Sequence, residues 1–220
     1  MEQVLIIGAS GGIGAALAGE AAARGAHVTA LSRRDDGFDI TDEASIAHHL
    51  GALSGPFDLI FVATGALVID GAAPEKSLKA LGVPSLAAQY ALNAIGPALV
   101  LKHSLALLPR DRRAVFAALS ARVGSIGDNG MGGWHGYRAA KAALNMLIHG
   151  GAIELGRSHK QAIAVCLHPG TVATPFTAGF PGHDKVTPEV AAANLLDVVA
   201  GLSRVQSGGF YDYAGDELPW

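Results

Sequence analysis

A glycine-rich turn close to the N-terminus constrains the fold of this chain more than any other feature. The apolar run at residues 4–7 predicts a buried strand, and the next seven residues read Gly-Ala-Ser-Gly-Gly-Ile-Gly before a helical pattern begins. Glycine lets the backbone adopt positive φ and approach a ligand closely, and a helix N-terminus presents unpaired N–H groups to an anion. A βαβ unit that binds a dinucleotide pyrophosphate is therefore predicted, with a ligand-free tight turn as the alternative. The predicted pyrophosphate-binding residues are Gly8, Ser10, Gly11, Gly12, Ile13 and Gly14.

The alternation of strands and helices predicts an α/β protein. Short β-rich runs alternate with longer alanine-rich helical runs, and the strands are continuous apolar segments of the kind covered on both faces. We therefore expect a single domain over residues 1–220, built on a doubly wound parallel sheet (a Rossmann fold) with helices on both faces. The predicted strands are residues 4–7, 27–32, 58–63, 114–119, 161–167 and 209–213. The predicted helices are residues 15–24, 43–53, 84–108, 137–155 and 188–202.

Composition excludes several classes of protein. The 220 residues include 50% hydrophobic and 16% charged side chains with a formal net charge of −3, which excludes disorder and argues against a nucleic acid partner. No apolar run reaches the roughly 18 residues that a membrane-spanning helix needs, and the N-terminus has no basic leader. Because Cys166 is the only cysteine and the nine histidines form no cluster with other ligands, no metal site is expected. We therefore expect a cytoplasmic protein that binds neither a membrane nor a nucleic acid.

The end of the second predicted strand bears on the choice of dinucleotide. It reads Leu31-Ser32-Arg33-Arg34, with no carboxylate where NAD-binding proteins usually hold the ribose 2′-hydroxyl. Ser32 and Arg33 can both bind a 2′-phosphate. The sequence therefore favours NADP(H), with NAD(H) as the alternative cofactor and with ordinary solvated arginines as the alternative interpretation of this segment.

Tyr137 and Lys141 stand four residues apart at the start of a predicted helix, so both side chains project from the same face. A free tyrosine has a pKa of about 10 and transfers protons poorly near neutrality. A neighbouring ammonium stabilises tyrosinate, and lowering the tyrosine pKa by about 3 units requires about 4 kcal/mol. The pair predicts an acid–base catalyst for neutral pH, although this spacing also arises by chance.

The order of these motifs resembles that of the classical short-chain dehydrogenases/reductases over essentially the full chain. The glycine turn is similar to the cofactor motif of that family, and Tyr-Arg-Ala-Ala-Lys at residues 137–141 is similar to its tyrosine–lysine pair. Arg-Val-Gly-Ser-Ile at residues 122–126 and Leu-Pro-Trp at residues 218–220 are similar to a subgroup that contains C-factor-like proteins and carbonyl reductases.

The resemblance implies a role for each matching residue. Tyr137 would exchange a proton with the substrate, and Lys141 would bind the nicotinamide ribose and lower the pKa of Tyr137. Asn93 would hold a water molecule that links Lys141 to solvent. The further cofactor contacts that the resemblance implies are Asp39 at the adenine, Ala63, Thr64 and Gly65 after the third strand, and Pro169, Gly170, Val172 and Thr174 at the nicotinamide.

The serine that polarises the substrate carbonyl in this family has no evident counterpart here. Alignment on the fourth predicted strand and Gly124 places Ala121 at that position, with Ser120 one residue earlier. Counting back from Tyr137 leads instead to Ser125. Neighbouring residues on a strand face opposite sides, so Ser120 can fill the role only if the strand end twists. Ser120 is the predicted catalytic serine, with Ser125 or no serine at all as alternatives.

Together these features predict an NADP(H)-dependent oxidoreductase that transfers a hydride between the nicotinamide and a small carbonyl or alcohol substrate. The missing serine supports an alternative, a dinucleotide-binding signalling or scaffold protein with little catalysis. The resemblance also implies a homodimer or homotetramer. The loop at residues 171–187 carries Phe176 and Phe180 and is expected to cover a small apolar pocket. The predicted catalytic residues are Tyr137, Lys141, Asn93 and Ser120.

Overall fold

A computed structural model describes residues 1–179 and 184–220, and its centre is one sheet of six strands. The strands are β1 (Gln3–Ile7), β2 (His27–Leu31), β3 (Leu59–Val62), β4 (Ala114–Leu119), β5 (Ala162–His168) and β6 (Phe210–Asp212). All neighbouring strands pair in parallel, in the spatial order β2-β1-β3-β4-β5-β6. The chain moves outward from β1 to β2 and then returns past β1 to β3, which creates a crevice at the carboxyl ends of β1 and β3. The predicted doubly wound parallel sheet is confirmed.

The helices lie between these strands and cover the sheet. They are α1 (Gly12–Ala23), α2 (Arg33–Asp36), α3 (Glu43–Gly51), α4 (Val83–Tyr90), α5 (Gly96–Ser104), α6 (His135–Ser158) and α7 (Pro188–Gly201). The predicted helices are present with ends displaced by a few residues, and the predicted helical stretch 84–108 is helical from Val83 to Leu107 but not α-helical throughout. It consists of α4, a π-helical turn at Ala91–Ile95, α5 and a short 3₁₀ turn at Leu105–Leu107. The short helix α2 was not predicted.

The two faces of the sheet bury separate apolar clusters. Along β1, Leu5 and Ile7 join the cluster that includes side chains of α3, α5 and α6. Val4 and Ile6 join the cluster that includes side chains of α1 and α7. Because successive strand residues point to opposite faces, a strand covered on both sides must be apolar at every position. This requirement explains the continuous apolar runs from which the strands were predicted.

The π-helical turn between α4 and α5 determines where Asn93 lies. A side chain at Gly96, directly after the turn, would overlap the backbone and side chain of Ile40, so the two segments can approach this closely only with glycine. The extra residue of a π turn shifts the following side chains around the helix axis relative to a regular α-helix. Asn93 lies in the middle of this turn and is fully buried.

Gly14 provides a test of the packing between the glycine turn and α1. An alanine Cβ at Gly14 would overlap the carbonyl oxygen of Gly8, whereas Gly19 on the exposed face of α1 has no atom within 4 Å of such a Cβ. We expect Gly14→Ala to lower the free energy of unfolding by about 2 kcal/mol or more. The control Gly19→Ala should raise it by about 0.5–1 kcal/mol. Urea unfolding followed by circular dichroism measures both, and wild-type stability of Gly14→Ala would contradict the close contact.

Candidate active site

The turn between β1 and α1 leaves the first N–H groups of α1 without capping side chains. Gly8 has a φ of +88°, its N–H donates to the Leu31 carbonyl (2.8 Å), and the Gly11 N–H donates to the Gly8 carbonyl (3.0 Å). Gly11 is the N-cap of α1, and within residues 1–179 and 184–220 no side chain bonds to this end of the helix. A Cβ at Gly12 would lie 2.8 Å from Cγ2 of Thr174. The turn can therefore place its backbone directly against a phosphate, as helix N-termini do in phosphate sites.

A cleft of about 780 Å³ opens beside this turn, where β3, β4 and β5 end. It brings together most of the residues predicted from the sequence, but not all of them. Gly8 and Gly14 pack against each other behind the turn and do not line the cleft. The predicted residues that also lie outside its lining are Ser10, Ser32, Arg33, Asp39 and Asn93. The predicted residues that line it are Gly11, Gly12, Ile13, Ala63, Thr64, Gly65, Ser120, Tyr137, Lys141, Pro169, Gly170, Val172 and Thr174.

The hydroxyl of Thr64 is suited to a polar ligand in this cleft. Its Oγ1 atom is buried and has no hydrogen-bond partner among the described residues. A buried polar group without a partner costs about 1–3 kcal/mol, which a ligand that bonds to it would recover. Thr64 adjoins the glycine turn, since a Cβ at Gly8 would lie 3.0 Å from its Cγ2. An open helix terminus with a neighbouring unpaired hydroxyl fits the phosphates and ribose of a dinucleotide.

The end of β2 is arranged differently from the sequence-based expectation. Ser32 is the N-cap of α2. Its hydroxyl accepts a hydrogen bond from the N–H of Asp35 (3.0 Å) and donates one to the Asp35 carboxylate (2.9 Å). The N–H of Ser32 donates to the carboxylate of Asp36 (2.8 Å). The expectation of no carboxylate at this strand end is wrong, because α2 folds both aspartates back onto it. The Arg33 side chain is exposed and has no ion pair or hydrogen bond among the described residues.

Asp39 lies in the loop between α2 and α3. Its Oδ1 atom accepts the N–H (2.8 Å) and the hydroxyl (2.7 Å) of Thr41. These two hydrogen bonds hold the pKa of Asp39 below its usual range. The loop therefore presents an ionised, half-buried carboxylate next to the end of β2.

Tyr137 and Lys141 lie at the start of α6, and both are almost fully buried where they line the cleft. Lys141 Nζ donates to the Leu119 carbonyl (2.8 Å) and lies 5.8 Å from the centroid of the Tyr137 ring. Burial lowers the pKa of Lys141 to about 8 and raises the pKa of Tyr137 above its usual range. The protein groups alone therefore do not lower the pKa of Tyr137, because desolvation of the phenol is the dominant effect.

Asn93 supports the loop that lies against Lys141. Its Oδ1 accepts the N–H of Ala66 (3.2 Å), and its Nδ2 donates to the Ala66 carbonyl (2.9 Å) and to Gln89 Oε1 (2.7 Å). Gly65 lies between the two side chains, since a Cβ there would be 3.1 Å from Asn93 Oδ1 and 3.5 Å from Lys141 Nζ. Asn93 therefore holds the backbone next to Lys141 from behind the cleft.

Neither candidate serine presents an uncommitted hydroxyl to the cleft. Ser120 lines the cleft, but its hydroxyl donates to Asn145 Oδ1 (2.7 Å). Ser125 is buried outside the cleft lining, and its hydroxyl accepts the N–H of Asp128 (3.0 Å). Ala121 also lines the cleft, directly after Ser120. Of the two candidate serines, only Ser120 therefore lines the cleft.

His168 is a cleft residue that the sequence analysis did not select. It ends β5 and lines the cleft, and its Nδ1 atom is buried without a hydrogen-bond partner among the described residues. Burial lowers the pKa of His168 to about 4, so the ring is neutral at pH 7 and keeps one N–H to donate. In the sequence, His168 directly precedes the Pro169–Gly170 motif, and this position could have identified it as a residue of the site.

Glu75 was also missed, because no local pattern connects it with α6. Its carboxylate accepts the N–H of Gly136 (3.0 Å) and the hydroxyl of Ser85 (3.2 Å), and its carbonyl accepts the N–H of Trp134. Burial raises the pKa of Glu75, but the hydrogen bonds to its carboxylate outweigh this effect and hold the pKa below its usual range. A negative charge thus stabilises the N-terminus of α6 directly before Tyr137.

The loop after β5 contributes an aromatic wall. Phe176 lines the cleft, and its ring centroid lies 5.8 Å from that of Tyr137. Pro175 also lines the cleft. Phe180, Pro181 and His183 lie outside the described residues. The described part of the loop therefore places apolar surface next to the proposed acid–base residue.

Cys166 is a core residue. It is buried on β5, and burial raises the pKa of its thiol to about 12, so the thiol stays protonated. Within residues 1–179 and 184–220, no group of three His, Cys, Asp or Glu side chains is arranged to hold a metal ion. No helix in these ranges is long and apolar enough to span a membrane.

Known proteins resemble this chain over most or all of its length. Residues 37–207 match a family model described as enoyl-(acyl carrier protein) reductase. The 1-hydroxy-2-glutathionyl-2-methyl-3-butene dehydrogenase of Rhodococcus sp. (strain AD45) is 32% identical over 240 aligned positions that cover 100% of both chains. The C-signal of Myxococcus xanthus is 36% identical over 138 positions, which cover 61% of this chain and 78% of C-signal. A crystal structure of a short-chain dehydrogenase/reductase from Burkholderia multivorans with bound NADP has a TM-score of 0.83 and 26% identity, and the match covers 100% of this chain and 99% of that one.

The buried Lys141 is expected to reduce the stability of the protein at neutral pH. The pKa of Lys141 is about 8 in the folded state and 10.5 in the unfolded chain. Between pH 8 and 10.5 the unfolded state keeps the proton that the folded state has lost, so the free energy of unfolding should rise with pH in this range. We expect Lys141→Met to be more stable than the wild type at pH 7 by about 1–3 kcal/mol, and this difference to shrink towards pH 10.5. Urea unfolding at both pH values tests this, with Lys160→Met on the surface as the control. A variant less stable than the wild type at pH 7 would contradict the expectation.

Proposed function

Because the chain belongs to the classical short-chain dehydrogenase/reductase family, we propose that it transfers a hydride between NADP(H) and a small carbonyl or alcohol substrate. The observation that carries this proposal is the placement of Tyr137 and Lys141, buried side by side in a cleft that begins at an open helix N-terminus. The name of the Rhodococcus relative, a dehydrogenase of a hydroxy compound, supports this reaction class.

Tyr137 is the proposed acid–base residue. In the reductive direction its phenol donates a proton to the carbonyl oxygen of the substrate, while the bound cofactor supplies the hydride. The raised pKa of Tyr137 keeps the phenol protonated at neutral pH, which is the form that this proton transfer requires. Lys141, with a pKa of about 8, is mostly charged at pH 7 and would stabilise negative charge that develops beside it.

The glycine turn and its neighbours are the proposed cofactor site. The N–H groups at Gly12 and Ile13 would hold the pyrophosphate, since the Gly11 N–H already donates to the Gly8 carbonyl. The unpaired hydroxyl of Thr64 would bond to the ligand beside them. The proposed contacts elsewhere are Asp39 at the adenine, Tyr137 and Lys141 at the nicotinamide ribose, and Pro169, Gly170, Val172 and Thr174 at the nicotinamide carboxamide.

NADP(H) is the proposed cofactor in preference to NAD(H). Arg33 directly follows β2, the strand end at which a 2′-phosphate is recognised in this fold, and the Burkholderia relative was solved with NADP. The Arg33 guanidinium forms no ion pair or hydrogen bond among the described residues, although its charge also acts on the carboxylate of Asp39. Asp35 and Asp36 work against this preference, because their carboxylates reach the same strand end through Ser32. Arg34 partly offsets them by its ion pair with Asp35 (2.8 Å).

A dinucleotide-binding protein with little catalysis is the second candidate function. It is favoured by the lack of a free serine hydroxyl at this strand end. The hydroxyl of Ser120 donates to Asn145, and the next residue in the cleft lining is Ala121, which has no hydroxyl. One relative carries the name of a signal rather than an enzyme, the C-signal of Myxococcus xanthus. NADPH oxidation in the presence of carbonyl compounds distinguishes the two candidates.

We further propose that the chain forms a homodimer through α6, with a homotetramer as the alternative. Met146 and Ile153 are 70% and 56% exposed, and their spacing of seven residues places them on one face of the helix. Gly150 lies between them on the same face, and a Cβ there would meet no atom of the described residues within 4 Å. An apolar face with a glycine at its centre suits the close approach of a second copy of α6.

Replacement of Tyr137 tests the proposed reaction. We expect Tyr137→Phe to lower kcat for the reduction of simple aldehydes and ketones by about 100-fold or more, because the proton donor is removed. The Kd for NADPH should change by no more than about fivefold, the equivalent of one hydrogen bond. The loss of NADPH absorbance measures turnover, and nucleotide fluorescence titration measures binding of NADPH and NADH.

Tyr90→Phe on α4, outside the cleft lining, is the matched control for this experiment and should keep wild-type kinetics. Undiminished turnover by Tyr137→Phe would contradict the assigned mechanism. Binding of NADPH by the wild type without turnover of any carbonyl in a broad panel would favour the second candidate function.

A negative charge introduced on the exposed face of α6 tests the proposed dimer. We expect the wild type to have twice the 22.4 kDa mass of one chain, and Ile153→Glu to have the mass of one chain, because a buried glutamate without a partner is costly. Light scattering coupled to gel filtration at micromolar concentration measures both masses. Val205→Glu, at a 93% exposed position outside α6, is the control and should remain dimeric. A monomeric wild type would contradict the proposal.

A further inference from the structure

The charged side chains that line the cleft are all of one sign. Lys76, Arg122, Arg138 and Lys141 belong to the lining, and no aspartate or glutamate does among the described residues. The chain as a whole has a formal net charge of −3, so this excess of positive charge is local. A cleft with cations and low-dielectric walls attracts anions.

Two of these four cations already have a role that accounts for their charge. Arg122 Nε forms an ion pair with Asp128 (2.7 Å), so its charge is compensated within the protein. Lys141 bonds to a backbone carbonyl and belongs to the proposed acid–base pair. The remaining cations of the lining are Lys76 and Arg138.

Neither Lys76 nor Arg138 is neutralised by a carboxylate of the described chain. Arg138 donates from Nε to the Gly133 carbonyl (3.0 Å) and from one terminal nitrogen to the Val123 carbonyl (3.2 Å), which orients the guanidinium without compensating its charge. Its second terminal nitrogen has no protein partner among the described residues. Lys76 has no ion pair or hydrogen bond there either, and its side chain is exposed to the cleft.

These two cations lie at a part of the cleft that is distinct from the proposed pyrophosphate site. Both flank the cleft segment 131–134: Arg138 bonds to Gly133, and Lys76 directly follows Glu75, whose carbonyl accepts the N–H of Trp134. The glycine turn instead contacts the segments around Thr64 and Thr174. A pyrophosphate at the glycine turn would therefore be bound by other groups and would not account for the charges of Lys76 and Arg138.

An apolar wall lines the same cleft as the two cations. It is formed by Val123, Pro175 and Phe176, and the Phe176 ring lies 5.8 Å from that of Tyr137. We infer that the substrate is a carbonyl or alcohol compound with a carboxylate group, and that Lys76 and Arg138 bind this carboxylate while the wall holds the hydrocarbon part. This inference rests on the proposed function, because it assigns the substrate class of the same site.

Two aldehydes that differ only at the distal group test the inference. The probes are 4-carboxybenzaldehyde and its methyl ester, assayed with NADPH. We expect kcat/KM of the wild type to be about tenfold or more higher for the carboxylate, since a charge-assisted hydrogen bond is worth at least this factor. The ester has the more electron-poor carbonyl, so intrinsic reactivity works against the expected preference. Added salt should reduce the preference, because it screens exposed charges.

Substitutions locate the source of the preference. Lys76→Gln and Arg138→Gln should each lower the ratio of kcat/KM for the carboxylate to that for the ester by about tenfold, chiefly through KM. Lys79→Gln, an exposed lysine outside the cleft lining, is the control and should leave the ratio unchanged. Because Arg138 also bonds to two carbonyls, Lys76→Glu provides a variant that alters only an exposed side chain, and it should reverse the preference.

The outcomes separate this inference from the proposed function. Equal or faster reduction of the ester by the wild type, or a ratio unaffected by Lys76→Glu, would overturn the inference and leave the proposed reductase function intact. Failure of folded, NADPH-binding wild type to reduce either aldehyde or any other carbonyl would overturn the proposed function and the inference with it.

Discussion

The parallel hydrogen bonding that joins β1 to β2 on one side and to β3 on the other is the interaction on which the rest of the structure depends. Parallel strands cannot be joined by tight turns, so every connection crosses a face of the sheet and both faces become buried. All carboxyl ends then meet at one edge. Gly8, Thr64, Ser120 and His168 come from different parts of the chain, yet each follows or ends one of these strands. Their common position explains why one cleft contains most of the chemistry of the protein.

Burial at this edge also sets the charge states of the site. The pKa of Lys141 falls to about 8, that of His168 falls to about 4, and that of Tyr137 rises, in each case because the charged form is desolvated. The result is a protonated phenol beside a weakly basic ammonium, in surroundings where electrostatic interactions are stronger than in water. The same site leaves Lys76 and Arg138 without carboxylate partners among the described residues, so its positive charge is available to a ligand.

Much of the fold could be predicted from the sequence because its signals are local. The apolar runs, the glycine turn and the spacing of Tyr137 and Lys141 each depend on residues that are close in the chain. The predicted helical stretch at 84–108 is helical from Val83 to Leu107, but its π-helical turn at Ala91–Ile95 was not predicted. Apolar periodicity does not reveal the close approach of Gly96 to Ile40, which lies in a different segment. The short helix α2 was missed for a different reason. Its four residues are too few for a periodic signal, and its N-cap hydrogen bond joins Ser32 to Asp35 within the same short segment.

The sequence by itself determined the order of strands and helices, the glycine cradle and the tyrosine–lysine pair, since these follow from backbone sterics and from the periodicity of apolar residues. Only the tertiary structure decided which side chains face the cleft and in what charge state. The hydroxyl of Ser120 is used by Asn145, 25 residues away, and the start of α6 is held by Glu75, 61 residues before Gly136. Such contacts form between segments that the chain brings together only on folding, and desolvation by the assembled core then sets the pKa values.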